Sequence, residues 1–195
     1  MMKPRGQSSK LFKLITLSLM STISLLLMLL DFPLPLLPGF LKVDFSDVPA
    51  LFAALIFSPV AGIIVEAMKN GLHFMLGSGD PIGASANFIA GIMFILPVSL
   101  LYHRFKSVKG VVSGLVTGTI VMTLGMSVLN YLVILPAYTW LMGFEVEGTK
   151  MAYVTAFIMP FNAMKGIIVG MLFVPLFIKM RPWFEQKRTK TINAA

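Results

Sequence analysis

Four stretches of this sequence are long enough to cross a lipid bilayer and carry almost no charge. Leu11 to Leu30 holds one charged residue, Lys13, near its end, and Ala86 to Tyr102 holds none. Val108 to Tyr138 and Met151 to Ile178 hold one each, Lys109 and Lys165. A spanning helix needs about 20 mainly apolar residues at a rise of 1.5 Å each. The rest of the chain does not dilute these stretches: 57% of all residues are hydrophobic, 12% are charged, and mean hydropathy is +0.87. Soluble domains carry about 25% charged residues, so water would not hold this composition. The sequence reads as an all-α integral membrane protein. Asp31-Phe-Pro-Leu-Pro35 follows the first stretch where a secretory signal would show a small-residue cleavage site, so the first helix is expected to stay.

Asp47 to Leu76 is harder to read. As one helix it would run about 45 Å, too long for the hydrocarbon core. Pro59 after Ser58 offers a break, giving pieces at 47–57 and 59–76. Charge then sets the count of spans. Basic residues cluster at Lys3, Arg5, Lys10 and Lys13, at Arg104, Lys106 and Lys109, and at Lys179, Arg181, Lys187, Arg188 and Lys190. Together these are 12 of the 16 Lys and Arg residues. Acidic residues fall in the alternate loops: Asp31, Asp44 and Asp47; Asp80; Glu145 and Glu147. Cytoplasmic loops carry the basic excess, so every cluster belongs inside. Six spans satisfy that and five do not. The expectation is one membrane domain over 1–195, with spans near 11–30, 47–57, 59–76, 86–102, 108–138 and 151–178 and both termini cytoplasmic. The net charge of +8 reports these anchoring loops rather than nucleic acid. The tails before Ser9 and after Trp183 are expected to be short and flexible.

The first external loop is unlike a solvated connector. Phe32-Pro-Leu-Pro-Leu-Leu-Pro-Gly-Phe40 is apolar and stiffened by prolines, and Leu41 to Ser46 alternates like a strand. A lid over a ligand cavity explains it better than a loop lying on headgroups. Tyr138, Trp140 and Tyr153 near the outer interface, with Tyr102 and Trp183 near the inner, read as interfacial anchors. The 15 methionines are scattered and read as packing filler.

Several chemistries are excluded. There is no phosphate-cradling Gly-x-x-x-x-Gly-Lys-Ser/Thr loop, no cysteine, no nucleophile elbow, and His73 and His103 form no metal-binding pair. Neither an enzyme nor a metal or cofactor site is expected. What remains are polar residues inside apolar helices, which are costly there and usually face a cavity. Asn162 and Lys165 lie three apart on one helix face, with Lys165 near mid-span. Asn130 falls in the outer half of the fifth span, and Asn87 begins the fourth span on the same side. These four residues can meet in a pocket opening outward. Amides with one ammonium suit a neutral or weakly anionic ligand rich in carbonyl and N–H groups. Glu66 and Lys69 read as a pair that neutralises itself; a proton relay with His73 would instead make a self-sufficient secondary transporter. Gly110, Gly114 and Gly118, and then Gly166 and Gly170, recur at spacings that let helices approach closely. Ser18, Ser21 and Thr22, with Ser24, give the first helix a small polar face that could pack inside or dock a partner.

Four blocks of residues resemble a known family. They are Phe32-Pro-Leu-Pro35 with Leu41-Lys-Val-Asp-Phe-Ser-Asp-Val-Pro49; Ala86-Asn-Phe-Ile-Ala-Gly91; Asn130-Tyr-Leu-Val-Ile-Leu-Pro-Ala-Tyr-Thr-Trp140; and Pro160-Phe-Asn-Ala-Met-Lys-Gly-Ile-Ile168. In order and spacing they are similar to the riboflavin-binding S components of bacterial energy-coupling factor (ECF) transporters. That resemblance implies a six-helix bundle in the bacterial cell membrane with an outward riboflavin pocket capped by the first loop. It implies a transmembrane coupling subunit and two ABC-type ATPases as partners, and leaves open whether FMN also binds. Ligand-facing positions of the family fall on Asn130, Asn162 and Lys165, and beyond them on Leu41, Lys42 and Asp47 of the loop, on Asn87 and on Glu66. An Ala-x-x-x-Ala docking motif common in related subunits is replaced here by serines and threonine.

Overall fold

The computed structural model describes residues 5–146 and 148–192, with side chains described over 10–146 and 148–182. Lys3 and Glu147, counted above among the charged clusters, lie outside the described residues, as do the side chains of Arg5, Trp183, Lys187, Arg188 and Lys190.

Among the described residues eight α-helices make six helical stretches: α1 Arg5–Met28, α2 Asp47–Ile56, α3 Pro59–Met75, α4 Pro81–Phe105, α5 Val108–Leu129 continuing into α6 Leu135–Met142, and α7 Lys150–Tyr153 continuing into α8 Met159–Ile192. Single π-helical turns, Asn130–Ile134 and Val154–Ile158, join the last two pairs without breaking the rod. Helix reaches Arg5 at one end and Ile192 at the other, so the backbone is regular where flexible tails were expected. Local sequence sets most starts. Ser58, Asp80, Ser107 and Thr149 are N-caps whose side chains accept backbone N–H groups, and Pro59 and Pro81 fill the first turns of α3 and α4.

Among the described residues four stretches are long and apolar enough to cross a membrane: Lys10–Met28, Pro81–Phe105, Val108–Met142 and Lys150–Pro182. Their outer faces expose large apolar side chains such as Leu14, Leu26, Val116, Leu132 and Met171, which is tolerable only against lipid. The two short helices between Asp47 and Met75 are arranged differently. Nine of the ten α2 residues are buried, because α1, α3, α4 and α8 pack around it. Helix α2 is surrounded by protein and needs no lipid-matching length. Its last turn is fastened from α4, where Ser99 Oγ donates to the Ala54 carbonyl at 3.1 Å and His103 Nε2 lies 2.9 Å from the same oxygen.

The glycine stripe of α5 packs on α4. A Cβ at Gly114 would stand 2.7 Å from Val98 Cα, and one at Gly118 would overlap the Phe94 carbonyl oxygen, so the two backbones are in contact. The first loop is tied together at its base. Phe32–Pro33 (β1) pairs antiparallel with Lys42–Val43 (β2), Phe32 opposite Val43 and Pro33 opposite Lys42. Beyond β2 the chain descends into the bundle, with Asp44, Ser46 and Asp47 all buried.

Candidate functional site

A cavity of about 760 Å³ opens at the end of the bundle that carries the first loop. The two π turns sit beside it. Each precedes Leu135-Pro136 or Met159-Pro160, and the wider turn absorbs the hydrogen bond and ring clash that proline brings to the preceding turn. One consequence is the placement of two asparagines. Asn130 opens the first π turn, and its Nδ2 donates to the Met126 carbonyl at 2.8 Å. Asn162 stands one turn beyond the second and its Nδ2 donates to the Ile158 carbonyl, also at 2.8 Å. Both amides are thereby oriented, and both residues line the cavity.

Lys165 lies one turn along from Asn162 and is 3% exposed. Its Nζ donates to Asn87 Oδ1 at 2.8 Å and stands 3.6 Å from Asp47 Oδ2 and 4.0 Å from Asp44 Oδ2. Asn87 in turn donates to Asn70 Oδ1 at 3.0 Å, and Asn70 donates to the Glu66 carbonyl oxygen at 2.9 Å. The four polar residues singled out from the spans, Asn87, Asn130, Asn162 and Lys165, are brought to one cavity, and Leu41 and Lys42 of the loop line it too. Asp47 does not line it; it lies behind Lys165.

Behind the cavity is a buried charged cluster. Lys69 on α3 is fully buried, ion-paired with Asp47 and with Glu66 Oε1 at 2.9 Å, and donates to Ser46 Oγ at 2.7 Å. Glu66 fits because Gly91 faces it from α4, where any Cβ would overlap the carboxyl group. Glu66 and Lys69 do pair, as their spacing suggested, but the pair is shared with the loop. Among the described residues no hydrogen bond joins His73 to this cluster; His73 lies on the cavity wall.

Several readings need correction. Asp44 and Asp47, counted among the acids of the first external loop, are buried against lysines because the chain dips into the bundle there. Tyr138 is not an interfacial anchor: it lines the cavity, and its hydroxyl donates to Asp80 Oδ2 at 2.9 Å. Tyr153 is buried in an aromatic cluster with Phe144 and Phe157, although Trp140 is 84% exposed as an anchor should be. Ser21 is buried and donates to the Leu17 carbonyl, so it is not available for docking, and Ser24 points inward to the Ser46 carbonyl at 2.6 Å. Ser18 and Thr22 remain exposed on the outer face of α1.

Sequence reasoning missed Phe40, Phe144, Phe161 and Tyr138 as cavity residues, whereas Asp44 falls within the loop positions, Leu41 to Asp47, that the resemblance implies. Asp44 also carried a signal of its own, an acid in a loop read as a lid above a mid-span lysine. Phe40 of the first loop meets Phe144 edge-on with ring centroids 5.7 Å apart, and Phe144 packs on Tyr138 at 6.3 Å. The roof therefore draws on two loops and on α6. The arrangement offers oriented amides and a buried ammonium at its deep end and apolar and aromatic walls above them. It suits a flat, largely apolar ligand with carbonyl and N–H groups on one edge.

Comparison with known proteins identifies the family. The model of the family described as ECF transporter, substrate-specific component, matches residues 12–177. The riboflavin transporter FmnP of Bacillus subtilis is 49% identical over 189 residues, which cover 94% of this chain and 100% of that protein. The riboflavin transporter RibU of Staphylococcus aureus is 41% identical over 175 residues, covering 89% of this chain and 93% of its own length. A solved structure of the S component of a bacterial ECF transporter superposes with a TM-score of 0.79 at 41% identity, covering 89% of this chain and 98% of that one.

Proposed function

The chain belongs to the substrate-specific components of ECF transporters, and from that premise we propose that it captures riboflavin from outside the cell for import across the cell membrane. The observation that carries this reading is the deep end of the cavity, where Asn130, Asn162, Lys165 and Asn87 converge. A flavin's pyrimidine edge bears two carbonyls and an imide N–H. The asparagine amides and the lysine ammonium complement that edge, and Met126, Ile134, Leu135 and Phe161 enclose the ring system. A volume of about 760 Å³ lies within the range of about 300–1,000 Å³ usual for sites that enclose a small organic ligand.

The six-crossing arrangement with both termini inside follows from the basic clusters, and it turns the cavity mouth outward. Leu41 and Lys42 act from the loop as it closes over the ligand. The chain has no phosphate-cradling loop of its own, so energy comes from partners: a transmembrane coupling subunit and two ABC-type ATPases. The exposed Ser18 and Thr22 face of α1 is available to the coupling subunit. A proton-coupled carrier using Glu66, Lys69 and His73 has less support, because His73 is not joined to the buried pair.

Purification from flavin-containing cells tests the reading directly. The expected sample is yellow, and protein stripped of flavin quenches riboflavin fluorescence on titration. Colourless protein that does not quench refutes it.

A further inference from the structure

Lys69 is the buried charge that ligand binding leaves unexplained. It is fully buried, it does not line the cavity, and a lysine ammonium in such a place is costly unless it is fully paired. Its partners come from two elements: Glu66 from its own helix, and Ser46 and Asp47 from the base of the first loop. Asp47 is the shared piece. Its Oδ1 is taken by Lys69, while its Oδ2 stands 3.6 Å from Lys165 Nζ. That separation is beyond a direct hydrogen bond, so Lys165 keeps its bond to Asn87 and its place on the cavity wall.

We propose that Lys69 is a positioning residue for the ligand-facing Lys165, acting by holding Asp47 away from it. In a low-dielectric interior the attraction between opposite charges is strong and has little water to screen it. With Lys69 neutralised, Lys165 becomes the nearest cation to Asp47, since Asp47 retains no other paired ammonium among the described residues. A shift of about half an ångström closes the gap to hydrogen-bonding distance. Lys165 then turns from the cavity toward Asp47, and the ligand has to compete with a buried carboxylate for the same ammonium. Asp47, placed among the ligand contacts by the sequence reading, works instead through the lysine in front of it.

This proposal rests on the riboflavin reading, and its test separates the two. Parent protein and variants, purified in detergent and freed of flavin, are titrated with riboflavin by fluorescence quenching. Lys69→Met is expected to bind about tenfold or more weakly. Lys69→Met combined with Asp47→Asn removes the competing carboxylate and is expected to return to within about threefold of the parent, where independent lesions would add. Unchanged affinity in Lys69→Met, or a double variant no better than the single one, overturns the proposal; so does a further tenfold loss when Lys69→Met is added to Lys165→Ala, because a lysine that acts only on the fold lowers affinity whether or not Lys165 is present, whereas one that acts through Lys165 does not. Should Lys69→Met not yield monodisperse protein, Ser46→Ala decides. It removes one hydrogen bond of Lys69 but leaves Asp47 as its paired carboxylate, and it is expected to bind no more weakly than the parent; a tenfold loss overturns the proposal. A parent that fails to quench riboflavin refutes the reading of the cavity itself.

Discussion

Replacing Gly118 with alanine should loosen the bundle, and the size of the effect can be worked from the α4–α5 contact. The added Cβ overlaps the Phe94 carbonyl oxygen and lies 3.3 Å from both its carbonyl carbon and ring Cδ2. The clash is with backbone, so no rotamer change relieves it. To restore a separation of about 3.5 Å the helices must part locally by roughly 1 Å. A gap of that size forfeits a quarter to a half of each contact worth about 0.1–0.2 kcal/mol, so a few tens of atom pairs lose about 1–3 kcal/mol. Measured overpacking costs fall in the same range of about 1–3 kcal/mol. Gly170 is the internal control. It belongs to the other glycine stripe, but its Cβ would meet only Leu115 Cδ1 at 3.8 Å, an ordinary contact. Thermal unfolding in one detergent, followed by the loss of the monodisperse peak on size exclusion, should show Gly118→Ala melting well below the parent and Gly170→Ala at or above it. Equal melting of Gly118→Ala and parent would refute the backbone-contact argument. Equal losses in both variants would show that any alanine in a stripe is harmful, whatever it faces.

Three further outcomes are expected. Asn130→Ala or Lys165→Ala should insert normally yet bind riboflavin about ten- to a hundredfold more weakly, the loss of about 1–3 kcal/mol for a buried hydrogen bond; titration calorimetry that finds both unchanged removes them from the site. Exchanging Pro35-Leu36-Leu37-Pro38 for a Gly/Ser segment of equal length gives the lid more conformations to lose on closing, so riboflavin dissociation should speed up by about tenfold while association changes less. Stopped-flow flavin fluorescence measures both rates. Tyr138→Phe keeps the ring on Phe144 but drops the bond to Asp80, a net loss of about 1 kcal/mol, and should lower the melting point without altering the expression level; an unchanged melting point means the hydroxyl is equally well served by water.

The sequence was most informative where it was most repetitive. Apolar length marked the four long rods, Pro59 marked the break after α2, and the glycine spacing marked the face of α5 that meets α4. The meeting of Asn130, Asn162 and Lys165 at one cavity was legible because a polar group in hydrocarbon has few places to go. The π turns were not. Pro136 and Pro160 each follow one, but Pro97 and Pro175 sit in uninterrupted α-helix, so proline alone does not specify the wider turn. The partners of Lys69 were only half legible. Glu66 is a neighbour along the helix, whereas Asp47 arrives from 22 residues earlier through a loop whose descent into the bundle has no local signature. Tyr138 and Tyr153 misled for a related reason. An aromatic near a helix end looks the same in sequence whether it meets headgroups or another loop.

The enclosure of α2 also bears on how the chain enters the bilayer during synthesis. A segment of ten residues that begins with Asp47 cannot partition into lipid by itself, and α3, with Glu66, Lys69, Asn70 and His73, is a poor candidate as well. The two must therefore be held by the insertion machinery, or leaned against α1, until α4 emerges to cover them. The cover is incomplete even then, because α8 is among the helices packed against α2 and also brings Lys165 to Asp47. Assembly of the central helix is thus deferred until α8 has been made. Ribosome-bound chains ending before Met159 should leave α2 and α3 extractable or protease-sensitive, while α1 and α4 are already anchored.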